Sequence, residues 1–190
     1  DNVSTDTRHF VSAWAIADAS PRDLMLYGRL FAVAKTMSDT NTESVTGVPT
    51  RYQSTTATDP DSACGNFLFV ECGTQLSGTS HNWTVCTYKD QGNADSTLPS
   101  LTGNSGNIIN RLDHPASNWF APLAAGDVGI KALTQMQCSA SVSGNVDFVI
   151  GHPLVVLPIQ VTALACVTDG VNTAFNLVRI FDDACLAFLE

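Results

Sequence analysis

From Val128 to Val142 the chain alternates between two kinds of residue. The even positions are Val, Ile, Ala, Thr, Met, Cys, Ala and Val. The odd positions are Gly, Lys, Leu, Gln, Gln, Ser and Ser. A period of two over fifteen residues predicts a long, half-buried strand. Ser143-Gly144-Asn145 reads as a turn, and Val146, Phe148 and Ile150 resume on even numbers. A three-residue turn would pair Val142 with Val146, Ala140 with Phe148 and Cys138 with Ile150. All six would then share one face, so the hydrophobic pattern favours that register, with Gly144 or Asn145 at positive φ.

After Gly151 the pattern changes. HPLVVLPI is apolar on both faces and includes Pro153, Leu154, Val156 and Pro158. Its two prolines argue against a central strand and for an edge strand or a covered crossing. Val142, Val146, Phe148, Ile150, Pro153, Leu154, Val156 and Pro158, with Trp119 and Phe120, are the candidate core and assembly residues.

Elsewhere the apolar runs are short. Residues 1–19 suggest an extended arm with a strand at Phe10–Ile16. Ser20-Pro21-Arg22-Asp23 has the form of a helix start, and Leu24, Tyr27, Phe31 and Ala34 follow at helical spacing. One short helix is expected there, with a strand through RLFAVA as the alternative. Asn66–Cys72 and Trp83–Tyr88 read as two strands of a hairpin closed by GTQLSGTSHN. Ile108–Leu112 and Val161–Val167 each suggest a strand. LVRIF and ACLAFLE suggest two more, joined at Asp182-Asp183, although their spacing also fits a helix. Residues 36–62 and 90–107 read as long polar loops, with VTGVPTRYQ able to hold a strand. The sum is a mainly β chain, sandwich or jelly-roll-like, forming a single domain over residues 1–190.

Composition supports strands over bundles. Charged residues are 14% of the 190, and Ser, Thr, Asn and Gly fill their place. The net charge is −9, with three lysines and six arginines that form no cluster. Binding to phosphate backbones or anionic membranes needs such clusters, so neither nucleic acid nor membrane is an expected partner. No apolar run reaches transmembrane length, and no signal-peptide pattern is present. So little charge also suits a surface that is covered in use.

Candidate chemistry is sparse. His9, His81, His114 and His152 form no pair at metal-ligand spacing. Gly103-Asn104-Ser105-Gly106 lacks the strand-turn-helix setting of a nucleophile elbow. Asp59-Pro60-Asp61 has no further acids at calcium-loop spacing. Asp182-Asp183 suits a turn. Asn2 and Asn82 begin glycosylation sequons. Trp83 and Trp119 could form a sugar platform, but a core or interface role is favoured. Cys64, Cys72, Cys86, Cys138, Cys166 and Cys185 form no C-x-x-C. They read as buried thiols, with three disulfides as the alternative. No cofactor, metal site or catalytic residue is expected.

Two phrases carry a resemblance. WFAPLAAGDVGIKALTQMQCSASVSGNVDFVIGHPLVVLPI and FNLVRIFDDACLAFLE are similar to the virion structural proteins of tailed bacteriophages, over roughly residues 108 to 190. The resemblance implies a non-enzymatic, multi-copy subunit on the particle exterior. A capsid decoration (cement) protein fits best, with copies of itself as a homotrimer or ring, and with the major capsid protein or other virion proteins, as partners. A collar, adaptor, tail or head-fibre subunit is the alternative within that class. Outside it stand a secreted, disulfide-bonded carbohydrate-binding module and a hydrolase with a dispersed His–acid pair.

Overall fold

A computed structural model of the protein describes residues 8–9, 12–16, 22–46, 52–59, 62–114, 119–159, 165–169, 179–180 and 185–189. Among these the chain is β throughout, with antiparallel strands and no helix. The strands are β1 (Arg8–His9), β2 (Ser12–Ile16), β3 (Arg22–Thr36), β4 (Glu43–Ser44), β5 (Phe67–Cys72), β6 (Asn82–Asp90) and β7 (Asp95–Thr97). They continue with β8 (Leu101–Thr102), β9 (Ile130–Cys138), β10 (Asn145–Ile159), β11 (Ala165–Asp169), β12 (Arg179–Ile180) and β13 (Cys185–Leu189).

The chain divides into two compact units: Asp1–Arg29 with His152–Glu190, and Leu30–Gly151. The four-stranded sheet has the order β13-β3-β10-β5, and the five-stranded one has β4-β9-β6-β7 with β8 also on β6.

In the first unit, chain start and chain end pair with each other. β1 pairs with β12, β2 with β11, and β13 with the Met25–Arg29 part of β3. The described part of the expected N-terminal arm is therefore strand, paired within its own chain. Leu26 and Leu154 form a small core, with Ala13, Val155 and Ile180 packed against it.

Residues 22–36 are strand β3, not the expected helix, so the alternative through RLFAVA holds and extends further. The apolar run from Leu24 to Ala34 satisfies either period. Pairing with β13 decides it, because tertiary partners override weak local propensity. The C-terminal run is likewise strand, in β12 and β13. The proposed turn at Asp182-Asp183 lies outside the described residues, as does most of Val161–Val167.

In the second unit the expected hairpins do not form. β9 pairs with β6 and β4, whereas β10 pairs with β5. Val146, Phe148 and Ile150 face Cys72, Val70 and Leu68, not Val142, Ala140 and Cys138. The 139–144 segment passes between sheets instead of closing one ladder. Gly144 does take positive φ, +110°, and a Cβ there would stand 2.5 Å from the Gln75 carbonyl oxygen. Met37 N–H donates to the Gly144 carbonyl, and Val142 N–H donates to that of Met37. These bonds fix the crossing where β3 ends. β5 and β6 also lie in different sheets, so Asn66–Cys72 and Trp83–Tyr88 are strands but not partners.

Two bulges explain why strict alternation fails along β9. Against β6, the register slips between Thr87 and Tyr88 and between Lys89 and Asp90. Each slip leaves one β9 residue, Thr134 or Lys131, without an opposite number. The inward phase therefore moves from Cys138 and Met136 to Leu133, and then to Ile130.

Ile108–Leu112 is not a strand. A single bridge joins Leu112 to Glu71, and Ile108 and Ile109 are exposed. The long loop at 90–107 includes β7 and β8, both on β6. In 36–62 the described strand is β4, ahead of VTGVPTRYQ. HPLVVLPI continues β10, which lies between β3 and β5 in sheet order. Its prolines are tolerated because pairing with β5 stops at Gly151, before Pro153 and Pro158 need a ladder donor on that side.

Val142, Val146, Phe148, Ile150 and Leu154 are buried; Pro153, Trp119 and Phe120 are half-buried; Val156 and Pro158 are exposed. Phe148 meets Trp83 of β6 edge-to-face, with centroids 4.6 Å apart and planes at 88°. That contact joins the two sheets of the second unit. Phe148→Ala should cost about 3–5 kcal/mol in denaturant unfolding, a large part of a domain's stability. A midpoint equal to that of the natural protein would contradict the packing.

Candidate functional site

His81 stands one residue before β6, and Trp83 is the second residue of that strand. Thirty residues later the 103–114 loop returns to them. Gly103 N–H donates to the His81 carbonyl, at 3.1 Å. The loop is shaped by asparagines. Asn104 Nδ2 donates to the carbonyls of Leu112 and His114, and Asn107 Nδ2 also donates to Leu112. Backbone bonds fasten the loop along β5, from Asp113 N–H to the Val70 carbonyl and from Cys72 N–H to that of Arg111.

This wrapping brings His81 against Asp113, with both side chains fully buried. Asp113 Oδ2 lies 2.9 Å from His81 Nε2 and accepts from Trp83 Nε1 at 3.0 Å. Its Oδ1 accepts the Asn104 N–H at 2.9 Å. Indole and amide N–H groups can only donate, so Asp113 is arranged to be solvated as a carboxylate. His81 Nδ1 lies 3.1 Å from the Thr79 carbonyl, which can only accept. Both ring nitrogens therefore face acceptors, and the ring fits the imidazolium form. The hydrogen bond to Asp113 raises the His81 pKa above 6.5, against the opposing effect of burial.

A buried His–carboxylate pair is the base and orienter of a nucleophilic triad only if one ring nitrogen reaches a nucleophile. Here Asp113 takes Nε2 and Thr79 takes Nδ1. Gly103 closes the approach as well: a Cβ added there would collide with the ring, so loop backbone lies directly on it. The arrangement pins a loop with a buried ion pair.

A second cluster lies further along β6. Asp127 Oδ2 accepts from the hydroxyls of Tyr88 and Ser96, each at 2.6 Å, and Tyr88 Oη accepts the Ala124 N–H at 2.9 Å. Burial, then the carboxylate, pushes the Tyr88 pKa up. Beside it is an open groove of about 550 Å³ lined by Phe67, Trp119, Phe120, Ala121, Pro122, Leu123 and Asp127. A smaller groove of about 440 Å³ presents hydroxyls and amides from Ser44, Thr87, Ser96, Thr97, Thr134 and Gln135, with Asp95. Lys35, fully buried, reaches Glu43 at 2.7 Å.

Among the described residues no cluster of three or more His, Cys, Asp or Glu could hold a metal ion. Cys64, Cys72, Cys86, Cys138 and Cys185 are free thiols. Burial pushes Cys72 and Cys86 up to about 12, which keeps them protonated and unreactive.

The first unit offers a different kind of surface. On β2 the outward residues are Ser12, Trp14 and Ile16, while Ala13 and Ala15 turn inward. On β13, Leu186 and Phe188 are outward and Ala187 is not. Trp14 is 71% exposed, Phe188 61%, Ile16 53% and Leu186 45%. On β2 large apolar residues outside and alanines inside invert the usual amphipathic strand, and β13 adds two more large exposed apolar side chains, with Ala187 and Leu189 less exposed. No family model matches the chain, and neither does any curated protein or solved structure.

Sequence reasoning named Trp119 and Phe120 but missed Phe67 and Asp127, which complete their groove. It found no pair for His81 at metal-ligand spacing, and the bond to Asp113, which spans 32 residues, is one that local spacing does not report.

The two shifted histidines give opposite pH dependence. His81 has a raised pKa, so its stabilisation is complete below pH 6.5 and is lost as pH rises through the folded value. Burial pushes His152 down to about 4, so the unfolded chain takes up that proton first, and stability falls from pH 6.5 toward 4. Unfolding measured across this range should lose its alkaline slope in His81→Gln and part of its acid slope in His152→Gln. Unchanged slopes would contradict the assignments. Asp113→Ala should cost about 3–5 kcal/mol by stranding a buried charge, and near-normal stability would contradict the pin.

Proposed function

We propose that the chain is a non-enzymatic, multi-copy structural subunit of a tailed-bacteriophage virion, carried on the particle exterior as a decoration (cement) protein. The fold in this reading is a β-sandwich. The observation that carries the proposal is the exposure of large apolar side chains on two strands, Trp14 and Ile16 on β2 and Leu186 and Phe188 on β13. A side chain of this size gains about 1.5–3 kcal/mol when fully buried, so such positions favour a covering surface. The low charge content works in the same direction, and the resemblance over residues 108–190 supplies the virion context.

The interior chemistry agrees with a structural role. The buried His81–Asp113 pair is occupied at both ring nitrogens. The five free thiols weigh against a disulfide-bonded secreted module. Cementing needs no reactive group. It needs apolar area at subunit seams, and repetition on a symmetric lattice turns modest contacts into firm attachment.

Light scattering should give the native protein a mass that is a multiple of 20.2 kDa, unchanged by reductant. The double variant Trp14→Ser, Phe188→Ser should fall to the single-chain mass while keeping its strand circular-dichroism signature, with an unfolding midpoint that no longer depends on concentration. A natural protein that is monomeric at 20.2 kDa would contradict the self-assembly on which this reading depends.

A further inference from the structure

We propose that the groove over Phe67, Trp119 and Phe120 is a binding site for a cationic side chain, arginine or lysine, presented by a protein partner. It shares no residue with the exposed apolar positions of β2 and β13 and does not depend on where the chain works.

The groove is built ahead of any ligand. Phe120 stacks on Phe67 with centroids 4.8 Å apart and planes at 18°, and Phe69 lies tilted at 6.4 Å. Trp119, Pro122 and Leu123 extend the apolar wall, and the volume of about 550 Å³ accommodates a long side chain. Asp127 is the one charged group in the lining among the described residues. Its Oδ2 is fixed by the Tyr88 and Ser96 hydroxyls. Its Oδ1 has no protein hydrogen bond and no ion pair among the described residues. Aromatic faces beside a held carboxylate attract a guanidinium or ammonium by ring quadrupole and by charge together.

Charge selects the occupant. The chain carries −9 overall and has nine cations in 190 residues. Lys35 and Lys89 are already engaged, with Glu43 and Asp95. A second copy is therefore a poor source, and a basic segment of another protein is complementary. A saccharide would require several polar groups to orient its hydroxyls, and this lining offers a single carboxylate.

The test uses the full chain, with N-acetyl-arginine amide as the probe and the Trp119 indole N–H resonance as the readout. N-acetyl-glutamine amide and methyl glucoside are the controls. The arginine amide should shift Trp119 saturably, and the neutral amide should not. Asp127→Asn should weaken binding by about fivefold or more, although its amide oxygen can still accept both hydroxyls. Trp119→Ala, followed through the Ala121 amide, should weaken binding too and tests the site separately if the first variant misfolds. No shift with the arginine amide, equal affinity in both variants, or a shift with the glucoside alone would overturn the proposal.

Discussion

The carboxylate of Asp113 is fully buried, and the groups that solvate it come from different parts of the chain. His81 and Trp83 approach from the start of β6, and Asn104 from the loop that Asp113 itself closes. A lone buried charge would cost many kcal/mol, so this site is stable only when all three donors are in place. The constraint propagates. It fixes the loop that covers the outer edge of β5, and it orients the indole that meets Phe148 between the sheets. An edge covered in this way is not open to pairing with another chain.

The second unit thus spends its polar chemistry inward. Its ion pair is sealed, its buried thiols are kept protonated, and its bulged β9 turns Leu133 and Ile130 back to the core. The first unit does the reverse. Around its small core of Leu26 and Leu154, the inward positions of β2 and β13 include alanines, and Trp14, Ile16, Leu186 and Phe188 face solvent. One chain therefore combines a polar network suited to holding a fixed shape with strands suited to contact. That division fits a subunit whose work is to be held in place by neighbours.

Much of this was legible locally, and what was missed is mostly non-local. The even-number burial of Val142, Val146, Phe148 and Ile150 could be read because a strand's faces repeat every two residues. The pairing of those strands could not, because alternation reports a face and not a partner. The bulges at Lys131 and Thr134 have no composition signal, yet each flips the inward phase. Leu24 to Ala34 fits both periods, and β13, more than 150 residues away, resolves it. Asp113 carried no local signal. Its tie to His81 depends on three asparagine-made bonds, and only the wealth of Asn around residue 104 hinted at a built loop. Trp119 and Phe120 stood out as aromatic residues, but the carboxylate beside them had no reason to stand out from the other acids.

The central claim is that the exposed apolar side chains of β2 and of β13 are covered in the native assembly. Hydroxyl-radical footprinting of the native protein tests it directly, with Ile108 and Ile109 as exposed references. The account predicts that Trp14 and Phe188 react far more slowly than their exposure in the single chain implies, and that dissociation restores their reactivity. Trp14 and Phe188 oxidising in the native protein as fast as in the dissociated chain would contradict it.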